Sequence, residues 1–282
     1  LDACKIVFAI GRQAVSSHEA ERLQRYVVGG GTLVFTPRFA SQTESGVTQP
    51  VAPGCNLAEQ WQLRVTDRLP SVPQYHSGEV SRFPLDGLGD ALRGTQAAGL
   101  TVFREQVQHE GWTTLAQYAD RTPAILTRTM GQGRLVYLNA VYQSHHYIQW
   151  VTPTDADRQG FYQLVVSLCE QAGARRTLRL EGRLEELLHV AVKQFTDPTG
   201  HIRYAILRTS GEVPWVACRL RWLGPETACY DVLGGEARGP APALGMERTF
   251  VFRPGEGHLL AFTAAPVKRV HVTAAAPRSI AG

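Results

Sequence analysis

The residues with the most chemical potential stand where the second apolar run ends, at Phe35-Thr36-Pro37-Arg38. A side-chain nucleophile at the carboxyl end of a strand needs a tight elbow of small residues and a base beside it. Pro37 and Arg38 occupy positions that ought to be small, and no histidine or acid adjoins Thr36. Threonine without a base is a poor nucleophile, so the elbow reads as chemically empty. Thr36 and Arg38 remain candidates for the rim of a ligand cleft, together with His145. The last follows a later strand at its carboxyl end, where α/β folds place ligands. His145 and His146 are adjacent, so in a strand they point to opposite faces and do not easily share one metal. Asp155 and Asp157 are the only acids near them in sequence, and a solvated loop pair is the simpler reading. No catalytic residue, metal or cofactor is expected.

Other groupings weaken on inspection. Glycoside hydrolysis needs two carboxylates at a fixed separation. The densest acids, Glu181, Glu185 and Glu186, sit at the entry to a β-rich region and read better as a solvated face. Gly29-Gly30-Gly31 closes a helix, whereas an anion loop must open one, so a nucleotide site fails on direction. Trp215 and Trp222 are an odd number of steps apart, so in one strand one faces the core and the other outward. The outward ring suits core or subunit packing first and sugar stacking second.

The elements that must position these residues are legible. Ile6 to Ile10 is a continuous apolar run, as in a parallel strand covered on both faces. Ser16 and Glu19 form a capping-box pattern, and Ala20, Leu23 and Val27 repeat at helical spacing. The three glycines stop the helix with a left-handed cap, and Thr32 to Thr36 is the next strand. The unit is strand, helix, strand with a right-handed parallel crossover. Residues 41–110 are broken by prolines. Asn56 to Leu63 reads as a short helix and Leu100 to Gln106 as a strand. Thr113 to Tyr118, Ala124 to Thr129 and Arg134 to Ala140 read as an antiparallel meander, joined by short turns. Asp155 or Asp157 caps a helix carrying Phe161, Leu164, Val165 and Leu168.

After Gly173 helical periodicity fades. Leu187 to Phe195, Arg203 to Arg208, Trp215 to Trp222, Cys229 to Leu233, Arg248 to Phe252 and His258 to Phe262 are short strand candidates. Their turns are Asp197-Pro198-Thr199-Gly200, Ser210-Gly211 and Gly234-Gly235, and the region reads as a small antiparallel sandwich. The expected domains are 1–173, α/β; 174–266, all-β; and 267–282, a linker or the start of a further module.

Composition narrows the class. The chain has 282 residues, 44% of them hydrophobic and 19% charged, with a net charge of +4. These values suit a globular protein. Basic residues are scattered, with Arg175-Arg176 and Lys268-Arg269 the densest pairs, so no phosphate-tracking stripe points to nucleic acid. No apolar run is long enough to span a membrane. Five widely spaced cysteines without a C-x-x-C pair favour a reducing compartment such as the cytoplasm, with a secreted or periplasmic place open. The first residue is not Met and the end reads Ala-Pro-Arg-Ser-Ile-Ala-Gly, so the expectation is a fragment of a longer polypeptide.

In series, these pieces resemble a known family. Val15 to Ala40 is similar to the second half of the class I glutamine-amidotransferase-like domain of family 42 β-galactosidases, their trimerisation domain. Asn56-Leu57-Ala58-Glu59 with Leu63-Arg64-Val65, the hairpin Tyr118 to Ala124, and Gly131-Gln132-Gly133-Arg134-Leu135-Val136-Tyr137-Leu138 fit in order. Tyr230 to Glu236 resembles a hairpin of the β domain that closes those enzymes. The resemblance implies a truncated flavodoxin-like three-layer domain followed by a β-sandwich. It also implies catalytic carboxylates on a (β/α)₈ barrel outside this chain, and first strands preceding Leu1. A complete barrel needs about 250 residues of alternating strand and helix, which the second half lacks. The implied work is homo-oligomerisation as a trimer and shaping of an active site elsewhere, with carbohydrate met through the parent enzyme. The alternative is a stand-alone carbohydrate- or small-ligand-binding module using the cleft at Thr36, Arg38 and His145.

Overall fold

The computed structural model describes residues 4–68, 80–100, 104–140, 154–174, 177–183, 187, 190–209, 215–232 and 247–267. The chain divides into two units, Leu1–Arg175 and Arg176–Gly282.

In the first unit β1 (Ile6–Ala9) leads into α1 (Ser17–Val28) and returns as β2 (Thr32–Phe35), parallel to β1. Ser16 caps α1 by accepting the Glu19 N–H at 3.0 Å. The Glu19 carboxylate goes to Arg12 at 2.9 Å, so the expected box is only half made. Ala20, Leu23, Tyr26 and Val27 form the buried face of α1. The glycine stop divides its labour. Gly29 ends the helix at negative φ, and Gly30 takes the left-handed turn at φ 111°. Gly31 makes room, because a Cβ there would stand 2.2 Å from the Tyr26 ring.

Residues 41–110, the hardest to read in sequence, hold α2 (Leu57–Trp61) and two antiparallel ribbons. β3 (Leu63–Arg68) pairs with β6 (Glu105–His109), and between them in sequence β4 (Val80–Pro84) pairs with β5 (Gln96–Leu100). Of the single strand expected at Leu100 to Gln106, the described residues give Leu100 to the end of β5 and Glu105 and Gln106 to the start of β6, and the two strands have different partners. β7 (Thr113–Gln117), β8 (Pro123–Met130) and β9 (Gly133–Leu138) form the expected meander, and β9 also pairs parallel with β2. The resulting sheet runs β1-β2-β9-β8-β7. Among the described residues β1 is its edge, and its four apolar residues are half-buried rather than covered on both faces.

Alternation along β2 and β9 splits the core in two. Leu33, Phe35, Leu135 and Tyr137 face α1 and Trp61 of α2. Val34, Val136 and Leu138 face Leu164 and Leu168 of α3 (Asp155–Gln171). Thr154, not Asp155 or Asp157, caps α3. Its hydroxyl accepts the Asp157 N–H, and the Asp157 carboxylate accepts the Thr154 N–H, a complete capping box. A hydroxyl at this position satisfies a free helix amide, while the acid three residues on completes the box and still has lone pairs for a second task. Arg82 of β4 grips that carboxylate through two bonds of 2.7 and 2.9 Å.

The second unit stacks two antiparallel sheets. β10 (Leu178–Glu181), β13 (Val216–Trp222) and β15 (Glu247–Phe252) form one, in the order β10-β13-β15. β11 (Val190–Thr196), β12 (Ile202–Thr209), β16 (Gly257–Thr263) and β14 (Ala228–Asp231) form the other, in the order β11-β12-β16-β14. Inward residues of both meet in one core, with Trp222 stacked on Phe262 at 3.6 Å. β10 was not foreseen, because Leu178-Arg179-Leu180-Glu181 is short and its partner β13 is distant in sequence. The turn at Asp197 forms as its sequence dictates. The carboxylate accepts from the Thr199 hydroxyl and from the Thr199 and Ile202 amides, which holds it down to about 2. Ser210-Gly211 and Gly234-Gly235 lie outside the described residues.

Candidate functional site at the carboxyl ends of β2 and β9

The end of β2 carries Thr36, Pro37 and Arg38. Thr36 is 1% exposed, and its hydroxyl accepts the Gly11 N–H at 3.0 Å. This bond ties the loop after β1 to the end of β2. Among the described residues no base is bonded to that hydroxyl. Arg38 takes a left-handed conformation, φ 67°, and Ala40 another, φ 49°. Such angles are costly for residues with a Cβ and persist where surrounding bonds impose them. The imposing bond at Arg38 is from its N–H to Glu105 Oε1, 3.0 Å.

Glu105 is the centre of a polar cluster that sequence reasoning missed. It opens β6, is 3% exposed, and its other oxygen accepts from the Tyr137 hydroxyl at 2.8 Å. Asn139 follows β9 and is fully buried. Its amide acts as a strand substitute: Oδ1 accepts the Glu105 N–H at 2.9 Å, and Nδ2 donates to the Glu105 and Pro123 carbonyls at 2.8 and 2.9 Å. The Tyr118 hydroxyl donates to the Asn139 carbonyl at 2.7 Å. Burial pushes the Tyr118 phenol well above its ordinary range, so it stays a neutral donor. Arg104 lies over the Tyr118 ring at 4.7 Å and bonds Asp120 at 3.0 Å. The available sequence signal was a polar Asn139 at the end of the apolar run Leu135–Leu138, where a buried amide must find partners.

These groups hold one another and the backbone. A buried carboxylate accepting an amide and a phenol is held for structure; acid–base work would need it aimed at a space where substrate can stand. Thr36 and Arg38 are brought near each other by β2, but through backbone and buried bonds. His145, His146 and Trp150 lie outside the described residues, as do Glu185 and Glu186. Glu181 lies on β10 and pairs with Arg179 at 3.2 Å. Among the described residues no group of three or more His, Cys, Asp or Glu side chains could hold a metal. All five cysteines are free thiols, and no described helix is long and apolar enough to cross a membrane. An open groove of about 530 Å³ runs beside β1, lined by Val7, Ala9, Ile10, His18, Arg22 and Leu23.

The family described as beta-galactosidase trimerisation domain matches residues 1–166. The chain belongs to that family. No curated protein matches it in sequence. Its fold, mostly β-sheet with few helices, is shared with solved β-galactosidases. That of Bacillus circulans sp. alkalophilus aligns at TM-score 0.58 and 20% identity, over 92% of this chain and 33% of its own. The cold-adapted enzyme of Rahnella sp. R3 aligns at 0.57 and 18%, over 91% and 32%. A catalytic mutant of Gan42B, a GH42 β-galactosidase of G. stearothermophilus, aligns at 0.58 and 18%, over 93% and 32%. The chain thus spans about a third of the length of the enzymes it matches.

Proposed function

We propose that this chain is the assembly portion of a multidomain glycoside hydrolase resembling β-galactosidase. In this reading it associates as a homotrimer and shapes access to an active site on another domain, through which the parent meets carbohydrate. The observation that carries the reading is the family match over residues 1–166, the part that holds the saturated cluster around Glu105. The finer architecture we infer is a partial amidotransferase-like, flavodoxin-like domain ending near Gly173, then a sandwich to about residue 266 and a linker beyond. Supporting it are the parallel crossover from β1 to β2, the third parallel strand β9, and helices on opposite faces of one sheet.

The association surface is placed on the segment after Ala40. There Thr43 and Val47 close a turn through a backbone bond of 2.8 Å and a side-chain bond of 3.1 Å, which leaves Val47 62% exposed. Gln49 pins its base to Gln42 and Cys55. A hydrogen-bonded turn loses little entropy on docking, and Val47 is the one large apolar side chain that this otherwise polar turn presents. Sedimentation velocity over a concentration series tests this. The chain is expected to move toward trimer as concentration rises, and Val47→Asp to shift that transition to higher concentration with an unchanged melting temperature. A monomer at every concentration overturns the reading.

A further inference from the structure

The outer face of the β10-β13-β15 sheet carries an aromatic side chain that the core does not use. Trp215, immediately before β13, is 58% exposed. The Arg253 guanidinium sits 6.0 Å from its ring centroid. Beyond them on the same face the pairs Ala217–Val251 and Arg219–Thr249 lie in register, and Glu181 of β10 stands opposite Arg219. Val251 is 55% exposed, and Ala217, Arg219 and Thr249 are exposed too. From Trp215 to Arg219 the strand runs about 13 Å at the usual rise per residue.

The composition of this strip says what it suits. The core of a protein–protein contact is apolar and depleted of charge. Here Trp215 and Val251 are hemmed by Arg253, Arg219 and Thr249, leaving too narrow an apolar strip for such a core. A flat indole beside a small Ala217 offers a platform for the C–H face of a ring. Guanidinium, hydroxyl and carboxylate groups beside it supply both donors and acceptors, as hydroxyl groups require. Glu181 is paired with Arg179 and adds an acceptor without cancelling the charge of Arg219 and Arg253, so stacking on the indole, not charge, is what selects a ring here.

We propose that this face is a secondary carbohydrate-binding surface that stacks a neutral pyranoside ring on Trp215 and directs its hydroxyls to Arg253 and Arg219. It goes beyond assembly and does not depend on it. It would hold a polymeric substrate near the enzyme without reacting with it.

The test is affinity electrophoresis of the chain in native gels containing soluble β-1,4-galactan, hydroxyethyl cellulose or polygalacturonate. Retardation by at least one neutral polymer is expected. Trp215→Ala should weaken it roughly tenfold, Trp215→Phe less, and Arg253→Ala a few-fold. Because Trp215 is exposed, the variants should melt with the wild type; should Trp215→Ala melt early, the graded loss in Trp215→Phe and Arg253→Ala decides. Unchanged retardation in these variants overturns the proposal. So does migration unaffected by either neutral polymer, or retardation by polygalacturonate alone. A Trp215→Ala variant that sediments differently while no glycan binds makes the face a protein contact, and also overturns it. Assembly is read separately by the Val47 series, so failure here leaves that reading standing.

Discussion

Each unit buries a polar pairing, and the two are built differently. Around Glu105, side chains join segments that no ladder connects: the left-handed turn at Arg38, the start of β6 and the end of β9. In the sandwich, His258 Nδ1 meets Asp231 Oδ2 at 2.8 Å across neighbouring strands β16 and β14, against the rings of Phe250 and Phe252. There the backbone ladder continues without the pair, through bonds such as Val232 N–H to the Leu259 carbonyl at 2.7 Å. The contrast teaches that a buried polar group matters most where it replaces secondary structure. Where it decorates an existing sheet it matters less.

The largest effect should come from Trp61→Ala. This fully buried ring packs on Phe35 at 5.0 Å and Phe39 at 5.8 Å, and its loss costs about 4 kcal/mol in urea unfolding of the first unit. Glu105→Ala should follow at about 3 kcal/mol. It leaves the Arg38 amide and Tyr137 hydroxyl buried without that acceptor. Hydrogen exchange should accelerate at Arg38 and Phe39 before anywhere else; equal acceleration throughout would refute the role given to the cluster. The sandwich counterpart, Asp231→Asn, keeps the shape and should cost about 1 kcal/mol, which sharpens the comparison.

Acid should act on the first unit through Asp157. Arg82, chiefly, holds its carboxyl below the ordinary range, against burial, which raises it; Thr154 adds to the lowering. Its stabilisation is therefore complete above the unfolded carboxylate value of about 4, and lost as pH falls through the lower folded value. Arg82 is half exposed, so Asp157→Asn should cost only about 1 kcal/mol at neutral pH and flatten the acid limb of the stability curve. The smallest effect belongs to Asp197. It titrates near 2, so its turn should keep its exchange protection down to that pH and change only locally in Asp197→Ala.

What sequence showed and hid follows the same division. Crossover, meander and sandwich strands were legible because each is local: a period, a cap, a turn residue. Thr154 was passed over because the acids after it look like better caps, although Asp157 serves Arg82 as well. The ribbons of 41–110 were illegible because β3 finds its partner β6 about forty residues on, with a second ribbon between them. The Glu105 cluster was hidden for the same reason, since Arg38, Glu105 and Asn139 meet only through the fold. At Thr36 the sequence showed a hydroxyl without a neighbouring base, and the structure adds the bond that this hydroxyl accepts from the Gly11 amide.

Native mass spectrometry of the chain at micromolar concentration tests the central claim, that this molecule works by joining copies of itself. The account predicts a species three times the mass of one chain, diminished in Val47→Asp. A spectrum holding only single chains, from a sample that unfolds cooperatively, would contradict it.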